Sequence, residues 1–312
     1  MLATIETFQR NDTAEADAAR QRLAAGLARP LLVHVHIPKC AGTSFNNLLR
    51  ISFGAGHLDA YLPVPDAVFS NDEFAQRVAA APQIQSIASH SIRRFPRILG
   101  DYVPLYVCFL RDPLYWYLSN LTYVLKNCAE LSADHRSILP PDLGSLSVRD
   151  LAQWLMDRTE QEGRVRTYYD RMTLVEYLVT STYDDCVLSD PSAPPPPAVR
   201  ETSLFSLSQH LLNSFFFVGV VEKMPEGLAI LRRKLNAYGL CLAPGELPVL
   251  NTSHERRGDL SWLTEADPLG RRILGCLERD RCLYAHALAC FDRERHRDEE
   301  QQLGTSQNAS GV

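Results

Sequence analysis

Four short runs rich in apolar, β-branched and aromatic residues, at 31–37, 83–88, 105–110 and 215–221, lie along the 312-residue chain with helical periodicity between them. Runs of this length read as strands buried on both faces, and strands that alternate with helices build a parallel sheet covered on each side by helices. The pattern predicts an α/β fold in three layers, with a central, mostly parallel sheet flanked by helices. Helical spacing recurs at Phe45, Leu48 and Leu49; at Leu151, Trp154 and Leu155; at Leu228, Leu231 and Leu235; and at Ile273, Leu277, Tyr284, Leu288 and Phe291. End signals agree with it. Ser147 with Asp150 reads as a capping box, Pro225 suits a first helical turn, and Gly239 suits the residue after a helix end.

Organisation follows from the same pass. Residues 1–28 read as an N-terminal helical arm, and 29–295 as one domain with a helical insertion at about 127–208. The stretch 296–312, rich in Gln, Asp, Glu and Ser, reads as a disordered tail. The proline run 194–197 predicts an exposed loop over 189–202.

Composition narrows the function classes. The formal charge is −5 with no dense Lys/Arg block, so the electrostatic grip that nucleic-acid binding needs is missing and any phosphate site must be local. No apolar stretch approaches the ~20 residues of a membrane-spanning helix. The N-terminus carries Glu6, Asp12, Glu15 and Asp17 rather than an apolar block behind a basic start, so the expectation is a cytoplasmic protein. Eight cysteines without a CxxC pair argue against a zinc site or a disulfide scaffold, and most are expected to be reduced and buried.

The segment from His36 to Phe45, His-Ile-Pro-Lys-Cys-Ala-Gly-Thr-Ser-Phe, follows the first strand run and opens a helix. A strand, a small-residue turn and a helix start make a P-loop-like anion site. Ala41 and Gly42 let backbone N–H groups converge on an anion, the helix N-terminus adds partial positive charge, and Thr43 and Ser44 can add hydroxyl donors. Lys39 supplies a full charge, but it precedes the glycine, whereas the Walker loop places its lysine after. A plain strand-to-helix turn with an exposed lysine is the bland alternative. In the second segment the run at 105–110 ends in Arg111-Asp112-Pro113. Asp112 suits a helix cap and Pro113 a first helical residue, so Arg111 sits at the strand edge and Ser119 lies in the helix. Six residues past Pro113 is about 9 Å of helix rise, a span that a long arginine side chain can bridge.

Together these segments resemble the cofactor loops of PAPS-dependent sulfotransferases, in particular the carbohydrate branch of heparan sulfate 2-O-sulfotransferases and bacterial family 2 sulfotransferases. The resemblance implies that Lys39, Cys40, Ala41, Gly42, Thr43, Ser44 and Phe45 hold the 5′-phosphosulfate of 3′-phosphoadenosine 5′-phosphosulfate (PAPS), and that Arg111 and Ser119 hold its 3′-phosphate. Weaker echoes are the run 217–222 ending in Glu222, Asn251, and Asp280 with Leu283 and Tyr284. Cys40 departs from the family's usual threonine, at a position expected to bind through its backbone. Its thiol also admits a nucleophile reading, since a helix N-terminus and a lysine lower a thiol pKa.

His90 follows the second strand run and should emerge at the same sheet edge. An imidazole suits proton abstraction at neutral pH, and the resemblance implies the catalytic base here, with Ser89 where the family commonly has glycine. The alternative is a histidine that only hydrogen-bonds at a strand end. His34 and His36 share one strand face. They could form a metal pair, but no carboxylate stands nearby in sequence, so core or loop-bracing roles are expected. Arg256 and Arg257 could close over the 3′-phosphate or be merely solvated. Tyr115, Trp116 and Tyr117 could stack adenine, line an acceptor cleft or pack the helix.

The reading is a sulfotransferase that moves a sulfuryl group from PAPS, in line and without a metal, to the hydroxyl of an acceptor, a carbohydrate or glycolipid. Lys39 would neutralise the departing phosphate and His90 would act as base. A P-loop kinase is one rival, which would need a Walker lysine and an acidic magnesium ligand, with Asp112 as candidate. A non-catalytic nucleotide- or glycan-binding module is the other.

Overall fold

A computed structural model describes residues 2–62, 67–131, 136, 139–161, 174–187, 197–245, 247 and 260–309. The five strands are β1 (Arg29–Val35), β2 (His57–Asp59), β3 (Ser86–Ser89), β4 (Tyr102–Leu110) and β5 (Phe217–Val220). The described α-helices longer than two turns are α1 (Leu2–Ala24), α2 (Gly42–Phe53), α3 (Asn71–Ala79), α4 (Pro113–Lys126), α5 (Val148–Gln161), α6 (Leu174–Val187), α7 (Pro197–Ser214), α8 (Met224–Asn236), α9 (Pro268–Cys276) and α10 (Glu278–Ala309).

All strands are parallel, in the order β2-β3-β1-β4-β5. Both faces are buried, which is why the strand runs read as near-continuous apolar sequence: all nine residues of β4 are buried. The pleat divides them. Leu31, Val33, Val35, Tyr106 and Cys108 join a core under the helices of the insertion. Leu32, Val107 and Phe109 join one with Phe45 and Leu49 of α2 and Leu228 and Leu231 of α8. This is the three-layer α/β architecture read from the sequence.

The order also locates a site. From β1 the chain leaves through α2 toward β2 on one side, and from β4 it proceeds to β5 on the other, so the sheet has a topological switch between β1 and β4. In open parallel sheets ligands bind in the crevice beyond the strand C-termini at such a point. The segments that follow β1 and β4 are the two loops singled out above.

Several boundaries differ from those expected. The polar three-residue β2 is too short to register as an apolar run. Residues 83–85 precede β3 rather than belonging to it, since the ladder with β1 begins at Ser86. Helix α3 carries a capping box between Ser70 and Glu73 that was not read from the sequence. The Ser147–Asp150 box does form, with reciprocal bonds of 3.1 Å from each backbone N–H to the other's side chain. Helical periodicity across 273–291 divides at Leu277 into α9 and α10. Residues 197–202, expected in the proline-rich loop, open α7, because proline is tolerated in a first turn; the rest of that loop, 189–196, lies outside the described residues.

The first and last described residues belong to helices, and 310–312 of the expected tail lie outside the described residues. Helix α1 buries Ile5, Ala16 and Ala19, and Asp12 accepts from Arg97 Nε at 2.7 Å and from His210 at 2.8 Å. Helix α10 continues through 296–309, where disorder was expected. Arg233 of α8 pairs through its Nε with Asp298 at 2.6 Å and Lys234 with Glu294, so basic side chains of α8 hold a stretch of good helix formers. The cysteines are less uniformly buried than expected: Cys40, Cys108 and Cys290 are buried, but Cys241, Cys276 and Cys282 are exposed. Among the described residues no helix is long and apolar enough to cross a membrane.

Candidate functional site

The turn after β1 is built by its carbonyls. Four consecutive ones are taken up inside the protein. That of His36 accepts from His90 Nδ1 at 2.6 Å and lies 2.9 Å from the Tyr177 hydroxyl. That of Ile37 accepts from the N–H of Cys40 at 3.3 Å. The indole of Trp116 donates to Pro38 at 2.8 Å, and Arg111 donates to Lys39 at 3.3 Å. Side chains from the end of β3, from α6, from α4 and from the end of β4 therefore converge on one loop. With those lone pairs satisfied, the loop presents donors.

Helix α2 begins on this loop without a side-chain cap. Its N-cap is Ala41, at φ 60°, and Lys39 has φ 61°; among the described residues these are the only non-glycine residues with positive φ. Such a conformation costs about 1–3 kcal/mol per residue and clusters at functional sites. The N–H groups of Gly42 and Thr43 have no intrahelical acceptor, and the helix dipole adds its partial charge there. Gly42 is required by contact: a Cβ at this position would fall 1.8 Å from Cδ2 of His36.

Not every residue expected in the loop reaches this point. Phe45 is a correction. Its N–H donates to Ala41 at 3.1 Å and its ring is wholly buried against His34 and Phe109, so it is a core residue of α2 rather than an anion ligand. The N–H of Cys40 is likewise spent on Ile37, and burial pushes its thiol pKa up, the reverse of what a nucleophile needs. Ser119 lies in α4 with only 3% of its surface accessible. Arg257, with Arg256 and Asn251, lies outside the described residues.

Lys39 and Arg111 stand together on the rim. Burial first, then the charges of Arg111 and Lys126, lower the Lys39 pKa. Its ammonium rests over the ring of Tyr123, 4.3 Å from the centroid. Neither Lys39 nor Arg111 forms an ion pair with a carboxylate among the described residues. Asp112 instead caps α4 through the N–H groups of Leu114 and Tyr115, and its own N–H donates to Glu222 at 3.1 Å, whose other oxygen accepts from Tyr284.

His90 packs against His36 with ring centroids 3.9 Å apart and the rings inclined by 33°. A carbonyl can only accept, so the bond to His36 puts the proton on Nδ1 of His90 and leaves the Nε2 lone pair available. Burial chiefly, and Arg93 to a lesser degree, hold its pKa below the ordinary value against the opposing effect of the His36 carbonyl, so the ring is neutral at pH 7. His34 is buried and bonded through Nδ1 to Asn46 at 2.6 Å, with its pKa pushed down to about 3 by burial.

Sequence reading missed four neighbours. Tyr61, past the end of β2, puts its hydroxyl 3.0 Å from His36 Nδ1, and its ring centroid lies 5.3 Å from that of His90. Asn46 donates to that hydroxyl at 2.7 Å. Tyr177 braces the carbonyls of His36 and His90, and its helix is capped from a distance by the buried Asp280, whose carboxylate accepts from the N–H groups of Leu174 and Val175. Tyr123 supports Lys39. Only Asp280 carried a signal, as a weak echo near the end of the chain. The chain matches no described protein family and no curated protein sequence, so the resemblance noted above rests on the residues of the two loops themselves.

Proposed function

We propose that the protein is a cytoplasmic, PAPS-dependent sulfotransferase acting on a hydroxyl of a carbohydrate or glycolipid. One observation carries the reading most: two adjacent cations, Lys39 and Arg111, stand without a carboxylate partner at an uncapped helix N-terminus, beyond β1 and β4 at the switch in the sheet. Such a rim favours a ligand with more than one anionic group, and PAPS carries them at both ends of one nucleoside.

In this scheme the acceptor hydroxyl gives its proton to Nε2 of His90 as its oxygen bonds to sulfur. The sulfur–oxygen bond to the 5′-phosphate breaks, the electron pair stays on the phosphate oxygen, and Lys39 with the first turn of α2 balances that charge. Arg111 holds the 3′-phosphate, which ATP lacks. A kinase reading is disfavoured because Asp112, its candidate magnesium ligand, is committed to capping α4. A binding module has no use for an imidazole held with an open lone pair.

The test is transfer of label from [35S]PAPS to cell extracts fractionated into polysaccharide, lipid and small-molecule pools. The expected result is label in a hydroxyl-bearing pool with the wild type and none with His90→Ala. Label in no pool, or full transfer by His90→Ala, overturns the assignment.

A further inference from the structure

We infer that His36 is a second working imidazole of this site: a neutral Nε2–H donor that hydrogen-bonds the group being transferred, opposite the lone pair of His90. The identity of that group as a sulfuryl rests on the function proposed above; the donor itself follows from the hydrogen bonds.

The amide of Asn46 sets the direction. Its oxygen accepts from His34 Nδ1, and its nitrogen donates to Asp59 at 3.3 Å, so the amide cannot be turned round without setting its oxygen against a carboxylate. The same nitrogen donates to the Tyr61 hydroxyl at 2.7 Å and faces Nδ1 of His36 at 3.4 Å. Tyr61, already accepting, sends its own proton to Nδ1 of His36 at 3.0 Å. That nitrogen is therefore the acceptor, and in a neutral ring the proton sits on Nε2.

Nε2 is placed on the anion site. It lies 2.0 Å from where a Cβ of Gly42 would be, and the Cα–Cβ direction of a helical residue points back toward the helix N-terminus. His36 is 6% exposed, and its Nε2 has no hydrogen-bond partner among the described residues. An unpartnered donor on a largely buried ring, beside the N–H groups of Gly42 and Thr43, fits an anionic oxygen. Burial, together with the neighbouring His90, His34, Arg50 and Lys39, keeps the ring uncharged.

The two neighbouring rings thus carry opposite tautomers. His90 has Nδ1–H fixed on the His36 carbonyl and an open Nε2; His36 has Nδ1 fixed by Tyr61 and an open Nε2–H. During transfer His90 gains the acceptor's proton, while His36 keeps its own and only donates a hydrogen bond to a sulfuryl oxygen. Gly42 is the residue that leaves room for this ring.

Long-range 1H–15N correlation on the histidine-labelled full chain, without ligand and near neutral pH, reads the tautomers. Nε2–H at His36 with Nδ1–H at His90 is expected; Nδ1–H or a charged ring at His36 overturns the inference. In parallel, His36→Leu should lower kcat by about 10²–10³-fold while leaving adenosine 3′,5′-bisphosphate affinity within about threefold, and His36→Gln, which retains an N–H, should restore about tenfold or more. His36→Leu with wild-type kcat also overturns it. A wild type that ignores the nucleotide overturns the proposed function instead, and the tautomer measurement still decides the donor.

Discussion

The guanidinium of Arg111 donates to the backbone carbonyl of Lys39 at 3.3 Å, joining residues 72 positions apart in sequence. Parallel pairing of β1 with β4, in register from Arg29 with Tyr102 to His34 with Val107, brings their C-terminal extensions together. Two cations held this way repel, and a polyanion relieves the repulsion. Lys39→Met should therefore lower kcat by about 10²–10³-fold with little loss of fold stability, because its charge is needed for the ligand and not for an internal pair. Steady-state kinetics alongside urea unfolding checks both halves.

Gly42→Ala should destabilise the protein by about 1–3 kcal/mol, since the added methyl collides with the His36 ring and the loop below it is fixed by four carbonyl bonds. Adding His36→Ala should recover most of that loss. A double-mutant cycle in urea unfolding reads the coupling; additive effects would mean that the collision is not with His36.

Trp116→Phe retains ring packing and removes the indole donor from the Pro38 carbonyl. The expected cost is about 1–2 kcal/mol of stability, with weaker nucleotide binding from a looser turn, measured by unfolding and by titration of adenosine 3′,5′-bisphosphate.

Acid should weaken the fold. His34, His36 and His90 are neutral in the folded state with pKa values held below 6.5, chiefly by burial, so below about pH 6.5 the unfolded chain binds more protons than the folded one. Stability then falls as pH drops, by about 1.4 kcal/mol per pH unit for each such histidine, until its folded pKa is reached. Urea midpoints from neutral to about pH 5 give the slope, and a His34→Gln variant should reduce it by about one proton. Activity should follow a related curve. Protonation of His90 sets an acid limb for kcat/KM below 6.5, and loss of the Lys39 charge sets an alkaline limb below 10.5.

Much of the architecture was legible because both faces of the sheet are buried, so β4 and β5 are apolar throughout, β1 is apolar apart from Arg29 and His34, and the motifs fall at their ends. The cap at Asp112, the box at Ser147 and the positive φ of Gly239 were legible because each is a local signal. What stayed hidden was tertiary. Tyr61 meets His36 only through the pairing of β2 with β3 and of β3 with β1, Asn46 meets it through the angle at which α2 leaves the turn after β1, and Tyr177 reaches the loop from a helix 141 residues on. Phe45 misled because the motif continues in sequence past the point where α2 closes its first hydrogen bond.

Calorimetric titration of adenosine 3′,5′-bisphosphate and of ATP, on the wild type and on Arg111→Ala, tests the central claim most directly. The account predicts that the wild type prefers the bisphosphate and that Arg111→Ala loses about 10–100-fold in bisphosphate affinity with ATP little affected, the worth of one charged hydrogen-bonding group. Equal binding of the two nucleotides by the wild type, or an unchanged preference in the variant, would contradict it.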